Sequence, residues 1–164
     1  MDKDKFINEI EVVNLADDTK HIEEMSAWVW EEWSKQGGAK LEDIIYRTRH
    51  SICIDKVPQV YIAKHGEELV GTASIWHNDL TTRQDLTPWL AALYIKKEHR
   101  GRGVGTLLQN KIIEVAKELG YDNIYLITEH ENYYEKTGWK FMEIAPIGGS
   151  TIRLYGYDIK SRNS

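Results

Sequence analysis

The run Arg100-Gly101-Arg102-Gly103-Val104-Gly105 constrains this chain more than any other stretch. Three glycines alternate with two arginines and a valine, and an amphipathic pattern from Thr106 to Leu119 begins directly behind them. Glycine has no Cβ, so its backbone approaches a ligand closely and tolerates left-handed geometry. A helix start leaves its first N–H groups unpaired and carries partial positive charge. With two guanidinium groups alongside, the run predicts an anion site of the kind that holds a pyrophosphate. The stretch in front of it, Trp89 to Ile95, has little polarity and reads as a central strand buried on both faces.

The remaining elements follow from periodicity and punctuation. Ile10 to Leu15 reads as a first strand, and Asp17-Asp18-Thr19 supplies N-cap chemistry for a helix to about Ser34. Its apolar stripe is Ile22, Met25, Val29 and Trp33, and Gly37-Gly38 ends it. A second helix carries Leu41, Ile44, Ile45, Thr48 and Ile52 on one face, and Pro58 closes that segment. The period then changes to two: Val60 to Ala63, a turn over residues 65–68, and Leu69 to Trp76 predict a hairpin. Asn78 to Pro88 is a polar connection. Behind the glycine run, Leu108, Ile112, Val115 and Leu119 form a core stripe with Gly120 as C-cap. Asn123 to Thr128 is another strand, and Asn132 to Thr137 a short helix stopped by Gly138. A last hairpin, Lys140 to Ala145 and Thr151 to Ile159, turns at Gly148-Gly149. Only residues 1–6 and 160–164 read as fraying ends. The order β-α-α-β-β-β-α-β-α-β-β predicts one α/β (α+β) domain over residues 1–164, with a mixed sheet and helices on both faces.

Bulk properties narrow the function classes. A net charge of -5 argues against nucleic acid as a partner. No apolar run approaches the ~20 residues of a membrane span, and the charged Met1-Asp2-Lys3-Asp4-Lys5 start has no signal-peptide core. The lone Cys53 excludes an internal disulfide and reads as a buried structural thiol, so a reducing, cytoplasmic setting is expected. The six histidines lack metal-ligand spacing, and no G-x-S-x-G elbow exists, so neither a metal nor a nucleophilic centre is indicated. Charge is uneven. Lys96, Lys97, Arg100 and Arg102 are basic, whereas Glu23, Glu24, Glu31, Glu32, Glu42 and Asp43 are acidic. That split suits an anionic cofactor and a cationic acceptor at separate places, or else merely solvated helix faces.

Three phosphate motifs compete for the glycine run. A Walker loop needs Gly-Lys-Ser/Thr, which is absent. A dinucleotide turn follows its strand directly and near the domain start, whereas here five polar residues and four predicted strands intervene. The pattern Arg/Gln-x-x-Gly-x-Gly/Ala is met by Arg100, Gly103 and Gly105, behind a central apolar strand and opening a helix. At this point the chain resembles the GCN5-related N-acetyltransferase family. Pro88 to Tyr94 resembles the Pro-Trp-Leu-Ala-x-Leu-Tyr strand of a large bacterial group within it. Tyr134-Glu135-Lys136-Thr137-Gly138-Trp139 independently resembles its Tyr-Glu-x-x-Gly-Phe/Trp signature. The resemblance covers residues 8–159 or so.

The resemblance implies a mostly antiparallel, twisted sheet of about seven strands and transfer of an acetyl group from acetyl-CoA to an amine. It assigns the pantetheine arm to the backbone of Leu93, Tyr94 and Ile95, and the pyrophosphate to the main chain of Gly101, Arg102, Gly103, Val104, Gly105 and Thr106, with charge from Arg100 and Arg102. Tyr134 takes the place of the proton donor to the departing thiolate, with Tyr133 adjacent as a competitor; Asn132 takes that of a side-chain contact to the coenzyme arm. Oxyanion donors are expected among the backbone N–H groups of the same strand. The first two helices form one wall of the acceptor pocket, so Trp28, Trp30, Glu31 and Glu32 are candidates to hold an amine by cation–π and charge contacts. The base is open between Asp85, His77, Glu129, His130 and a water chain. The acceptor is expected to be a small molecule, cationic amines included, or a peptide amine, and family members are commonly dimers. A non-catalytic acyl-CoA sensor and a nucleotide-binding regulator are the rival readings.

Overall fold

The structure, a computed structural model, describes residues 2–161. Seven strands form one sheet in the order β1-β2-β3-β4-β5-β7-β6. They are β1 (Ile10–Asn14), β2 (Gln59–His65), β3 (Glu68–Trp76), β4 (Trp89–Ile95), β5 (Asn123–Thr128), β6 (Lys140–Ile147) and β7 (Ser150–Asp158). All neighbours are antiparallel except β4 and β5, which run parallel and share a single registered pair, Trp89↔Tyr125. The helices are α1 (Lys3–Asn8), α2 (Ile22–Val29), α3 (Leu41–Arg49) and α4 (Val104–Glu118). Among the described residues no helix is long and apolar enough to cross a membrane.

Alternation along the strands builds a core on each face. In β2, Tyr61 and Ala63 join the α4 side with Leu108, Ile112 and Val115, while Val60 and Ile62 join the α2/α3 side with Ile22, Met25, Val29 and Ile44. β4 breaks this rule. Its register against β3 shifts between Thr72 and Ser74, and Ala92 takes the left-handed φ of 51°. As a result Leu90 packs on the α4 side and Ala92 on the α2/α3 side, although both are even-numbered. Leu93 and Ile95 return to the α4 side. An extra residue bends a strand and increases its twist, and β4 leaves β5 after Trp89. The expectation of a strand buried on both faces therefore holds only for its first half. From Ala92 to Ile95 it is half-exposed, because no partner strand covers that edge.

Four further expectations are corrected. Residues 3–8 form α1 rather than a fraying end, and its Phe6 is 1% exposed beneath the glycine run. Met1 and residues 162–164 lie outside the described residues. Trp33 is not part of the core stripe but is 50% exposed. Residues 30–34 form a π-helical turn in which Lys35 N–H bonds Trp30 O at 2.8 Å. That wider turn rotates Trp33 off the line of Ile22, Met25 and Val29, which a regular period would have continued. α4 begins at Val104 rather than Thr106, and the short helix after β5 shrinks to a single 3₁₀ turn, Tyr134–Thr137.

Burial separates two otherwise similar truncations. Leu108→Ala empties a fully buried site under the sheet and should lower unfolding free energy by roughly 2–5 kcal/mol. Trp33→Ala should change it by about 0.5 kcal/mol or less. Urea denaturation of the two variants checks both values.

Candidate active site

The parting of β4 from β5 leaves a groove lined by the second half of β4. At its open end the chain passes through a 3₁₀ turn (Lys97–His99) into the glycine run. Gly101 and Gly103 adopt φ of 73° and 94°, and Gly103 is the N-cap of α4. The first helical bond closes from Leu107 N–H onto Gly103 O at 3.2 Å. The N–H groups of Val104, Gly105 and Thr106 thus precede the hydrogen-bonded ladder, at the positive end of a fifteen-residue helix. Nothing lies within 4 Å of where a Cβ on Gly101 would stand. At Gly105 the same position is 3.1 Å from the Tyr133 hydroxyl, which therefore lies against the helix start.

The two arginines are placed differently from one another. Arg100 turns back onto β4, where its Nε donates to Ile95 O at 2.8 Å and its guanidinium lies 5.2 Å from the Tyr94 ring centre. Arg102 lies 3.6 Å from the Phe6 ring centre and donates to His99 Nδ1 at 3.2 Å. Arg102 thus ties α1 to the loop. The charge nearest the groove is Arg100, and the donors aimed at an anion are those of the main chain.

Tyr134 and Tyr133 share an edge-to-face contact at 4.8 Å but differ in setting. Tyr134 is 9% exposed and sits among Trp139 and Tyr155. Burial raises its phenol well above the ordinary value, so it stays protonated at every physiological pH. Tyr133 is exposed. Asn132 precedes the 3₁₀ turn in left-handed geometry, and its N–H donates to Glu135 Oε2 at 3.2 Å.

On the opposite side, Trp28 stacks against Tyr94 at 5.3 Å, and Trp33 meets the same ring edge-on at 6.3 Å. Trp33 was missed because a regular helical period assigns it to the core. Trp30 points elsewhere. Its Nε1 donates to Ala39 O at 2.7 Å, and Lys35 covers its ring at 5.0 Å. Glu31 pairs with the same Lys35 at 3.3 Å, and Glu32 is exposed. Of the four side chains expected around an acceptor, only Trp28 is shown against a groove residue.

The candidate bases are dispersed. Asp85 is held by Arg83 at 2.9 Å, which keeps its carboxyl below the usual range. His77 lines a separate cleft of about 480 Å³ with Cys53, and Glu129 and His130 are exposed. Asp79, just beyond β3, was not anticipated. Burial pushes its carboxyl up to about 7, against an opposing pull from Arg47. The only hint in the sequence was its neighbour Leu80, a buried apolar residue inside an otherwise polar connection. At the surface, Glu68, Glu98 and His99 bring ligand atoms within 4.8 Å of one another. Glu68 there is already engaged by Lys96 and His99, both at 3.0 Å.

The acetyltransferase (GNAT) family matches residues 22–139, and the chain belongs to that family. N-alpha-acetyltransferase 30 of Schizosaccharomyces pombe is 32% identical over 84 residues, covering 48% of this chain and 55% of that protein. The chain thus spans about half the length of the curated relative it matches. Its fold is shared with an acetyltransferase from Streptococcus agalactiae, at TM-score 0.68 and 19% identity over 92% of this chain and 98% of that one. An aminoglycoside 6'-N-acetyltransferase complexed with coenzyme A gives TM-score 0.71 and 16% identity over 91% and 97%.

Asp79 gives a pH-dependent signature. An unfolded carboxyl titrates near ~3.9, whereas the folded one titrates at about 7. The contribution of this group to stability is complete below the lower value and is lost as pH rises through the higher one. Asp79→Asn removes that loss. Compared with wild type, the variant should gain stability at about pH 8 relative to about pH 5. Urea midpoints at the two pH values test this, and an equal pH response in both proteins would contradict it.

Proposed function

We propose that the chain binds acetyl-CoA along the β4/β5 groove and transfers the acetyl group to an amine of a small molecule or peptide. One observation carries this reading. The only parallel strand pair among the described residues opens beyond Trp89↔Tyr125, directly in front of a helix start reached through two left-handed glycines. Family membership and the shared fold of acetyltransferases support it.

The chemistry follows from the placement. The main-chain N–H groups of Val104, Gly105 and Thr106 and the open Gly101 suit a pyrophosphate, with Arg100 adding charge at the rim. The unpaired edge of β4 over Leu93, Tyr94 and Ile95 offers backbone donors and acceptors to an extended amide chain, as an added strand would. The same amides face the thioester carbonyl and stabilise the negative charge that develops there. Acetyl-CoA supplies the activated acyl carbon; the protein supplies alignment and protons. Tyr134, kept protonated by burial, is the donor to the departing sulfur. Trp28 with Trp33 closes the wall over Tyr94 on the acceptor side. The acidic residues of α2 and its π turn give little support to a cationic acceptor, since Glu23 pairs with Arg49 and Glu31 with Lys35. A cytoplasmic location suits the lone Cys53, which has no cysteine to pair with.

Tyr134→Phe should lower kcat by roughly 10²–10⁴, the range for lost proton transfer. The Kd for coenzyme A should hold steady by calorimetry, and undiminished turnover would remove Tyr134 from this role. Gly103→Val forces a branched side chain into left-handed backbone, with its Cβ 3.4 Å from Ile7 Cδ1. It should abolish measurable coenzyme A binding while the circular dichroism spectrum stays folded. Wild-type calorimetry that favours ATP or NAD over coenzyme A would overturn the whole reading.

A further inference from the structure

A small cavity adjoins the groove from the α2/α3 face. It lies under Met25 and Val29 of α2, against Ser74 and Trp76 of β3, and ends at Ala92, the left-handed residue that turns β4 out of the sheet. Its free volume is about 10 Å³, room for one water-sized group. Most polar groups around it are committed within the protein. Thr48 Oγ1 donates to Ile44 O at 2.8 Å, Ser51 Oγ to Arg47 O at 2.7 Å, and Ser26 Oγ to Thr48 Oγ1 at 3.0 Å.

Arg47 is the exception. Its guanidinium lies 4.8 Å from the centre of the Trp76 ring, at the cavity. The residue is exposed, and partial desolvation of its guanidinium lowers its affinity for its proton, an effect that a bound anion reverses. Three other arginines are matched to acids, Arg49 to Glu23, Arg83 to Asp85 and Glu143, and Arg153 to Glu131, whereas Arg100 and Arg102 of the glycine run are held by Ile95 O and His99. Among the described residues Arg47 makes no direct ion pair, and the carboxyl that acts on it electrostatically is Asp79. A guanidinium laid on an indole keeps its planar fork of donors oriented, and that fork fits a carboxylate with two parallel hydrogen bonds.

We propose that the acceptor carries a carboxylate next to its amine, as a free α-amino acid does, with Arg47 holding the acid. This rests on the acetyl-transfer reading above. A polyamine or aminoglycoside would set a second cation against Arg47, whereas an amino acid presents an anion to it. In the reaction the ammonium gives one proton to water. The neutral nitrogen then bonds the acetyl carbon, the carbon–sulfur bond breaks, and its electron pair leaves with sulfur. Sulfur takes the Tyr134 proton, and the second N–H proton of the amine replaces it on the phenol. The products are an N-acetylated amino acid and the free thiol.

The test is thiol release from acetyl-CoA by the full-length chain. The acceptors are the free amino acids, their methyl esters, the amines left by removing the carboxyl, peptides with a free α-amine, spermidine and an aminoglycoside. At least one free amino acid should exceed its ester and its decarboxylated amine by roughly 100-fold or more in kcat/KM, since those analogues leave the guanidinium unpaired. Arg47→Gln should bring that ratio near one, chiefly through KM, with the Kd for coenzyme A unchanged. Arg47→Lys should restore part of it. Turnover of peptides, polyamines or esters that equals or exceeds that of every free amino acid overturns the inference and leaves acetyl transfer standing. So does an Arg47→Gln protein that binds coenzyme A and keeps the preference. Coenzyme A binding with no amine acetylated overturns both.

Discussion

Ala92 takes a left-handed backbone in the middle of a central strand, and the geometry of the site follows from that one residue. A non-glycine residue held there costs about 1–2 kcal/mol, and the packing on both faces of the sheet sustains it. The extra residue inverts the inward–outward alternation of β4, so Leu93 and Ile95 are carried to the α4 side while Ala92 faces α2 and α3. It also swings the second half of β4 away from β5. A parallel pair that would otherwise close with hydrogen bonds is left open for an extended ligand, and backbone groups along Leu93 to Ile95 become available to it.

The glycine run then works with that opening. Its left-handed turns set α4 in place, with Val104, Gly105 and Thr106 at the mouth of the groove. The two arginines divide their labour: Arg100 clamps the end of β4, while Arg102 binds α1 through Phe6. Positive potential at the site therefore owes more to a helix end and fixed amides than to mobile side chains. Such donors need no reorganisation when an anion arrives. On the far side of the bulge, Arg47 of α3 lies on Trp76 beside the small cavity that ends at Ala92.

Much of this was legible before any coordinates. The elements and their order follow from hydrophobic period and turn chemistry, and two motifs at family spacing led to the acetyltransferase reading, with which the matched family agrees. What escaped has identifiable physical causes. Trp33 obeys a regular helical period in the sequence, and only the π turn at Trp30–Ser34 moves it out to meet Tyr94. Phe6 is hidden in a charged segment, and its burial depends on the distant His65, His99 and Arg102. Asp79 looks like any loop carboxylate, because desolvation is a property of surroundings and leaves no local mark.

The sequence by itself determined the seven strands, the helices α2 to α4, the glycine turn and the aromatic turn after β5, since these depend on local spacing and on what each backbone conformation tolerates. The tertiary structure alone decided that β7 lies between β5 and β6, that β4 parts from β5 at the bulge, and that Arg47 of α3 lies on Trp76 of β3. Those features join residues far apart in the chain. Their energies come from packing and burial summed over many partners, which a reading of neighbours along the chain does not contain.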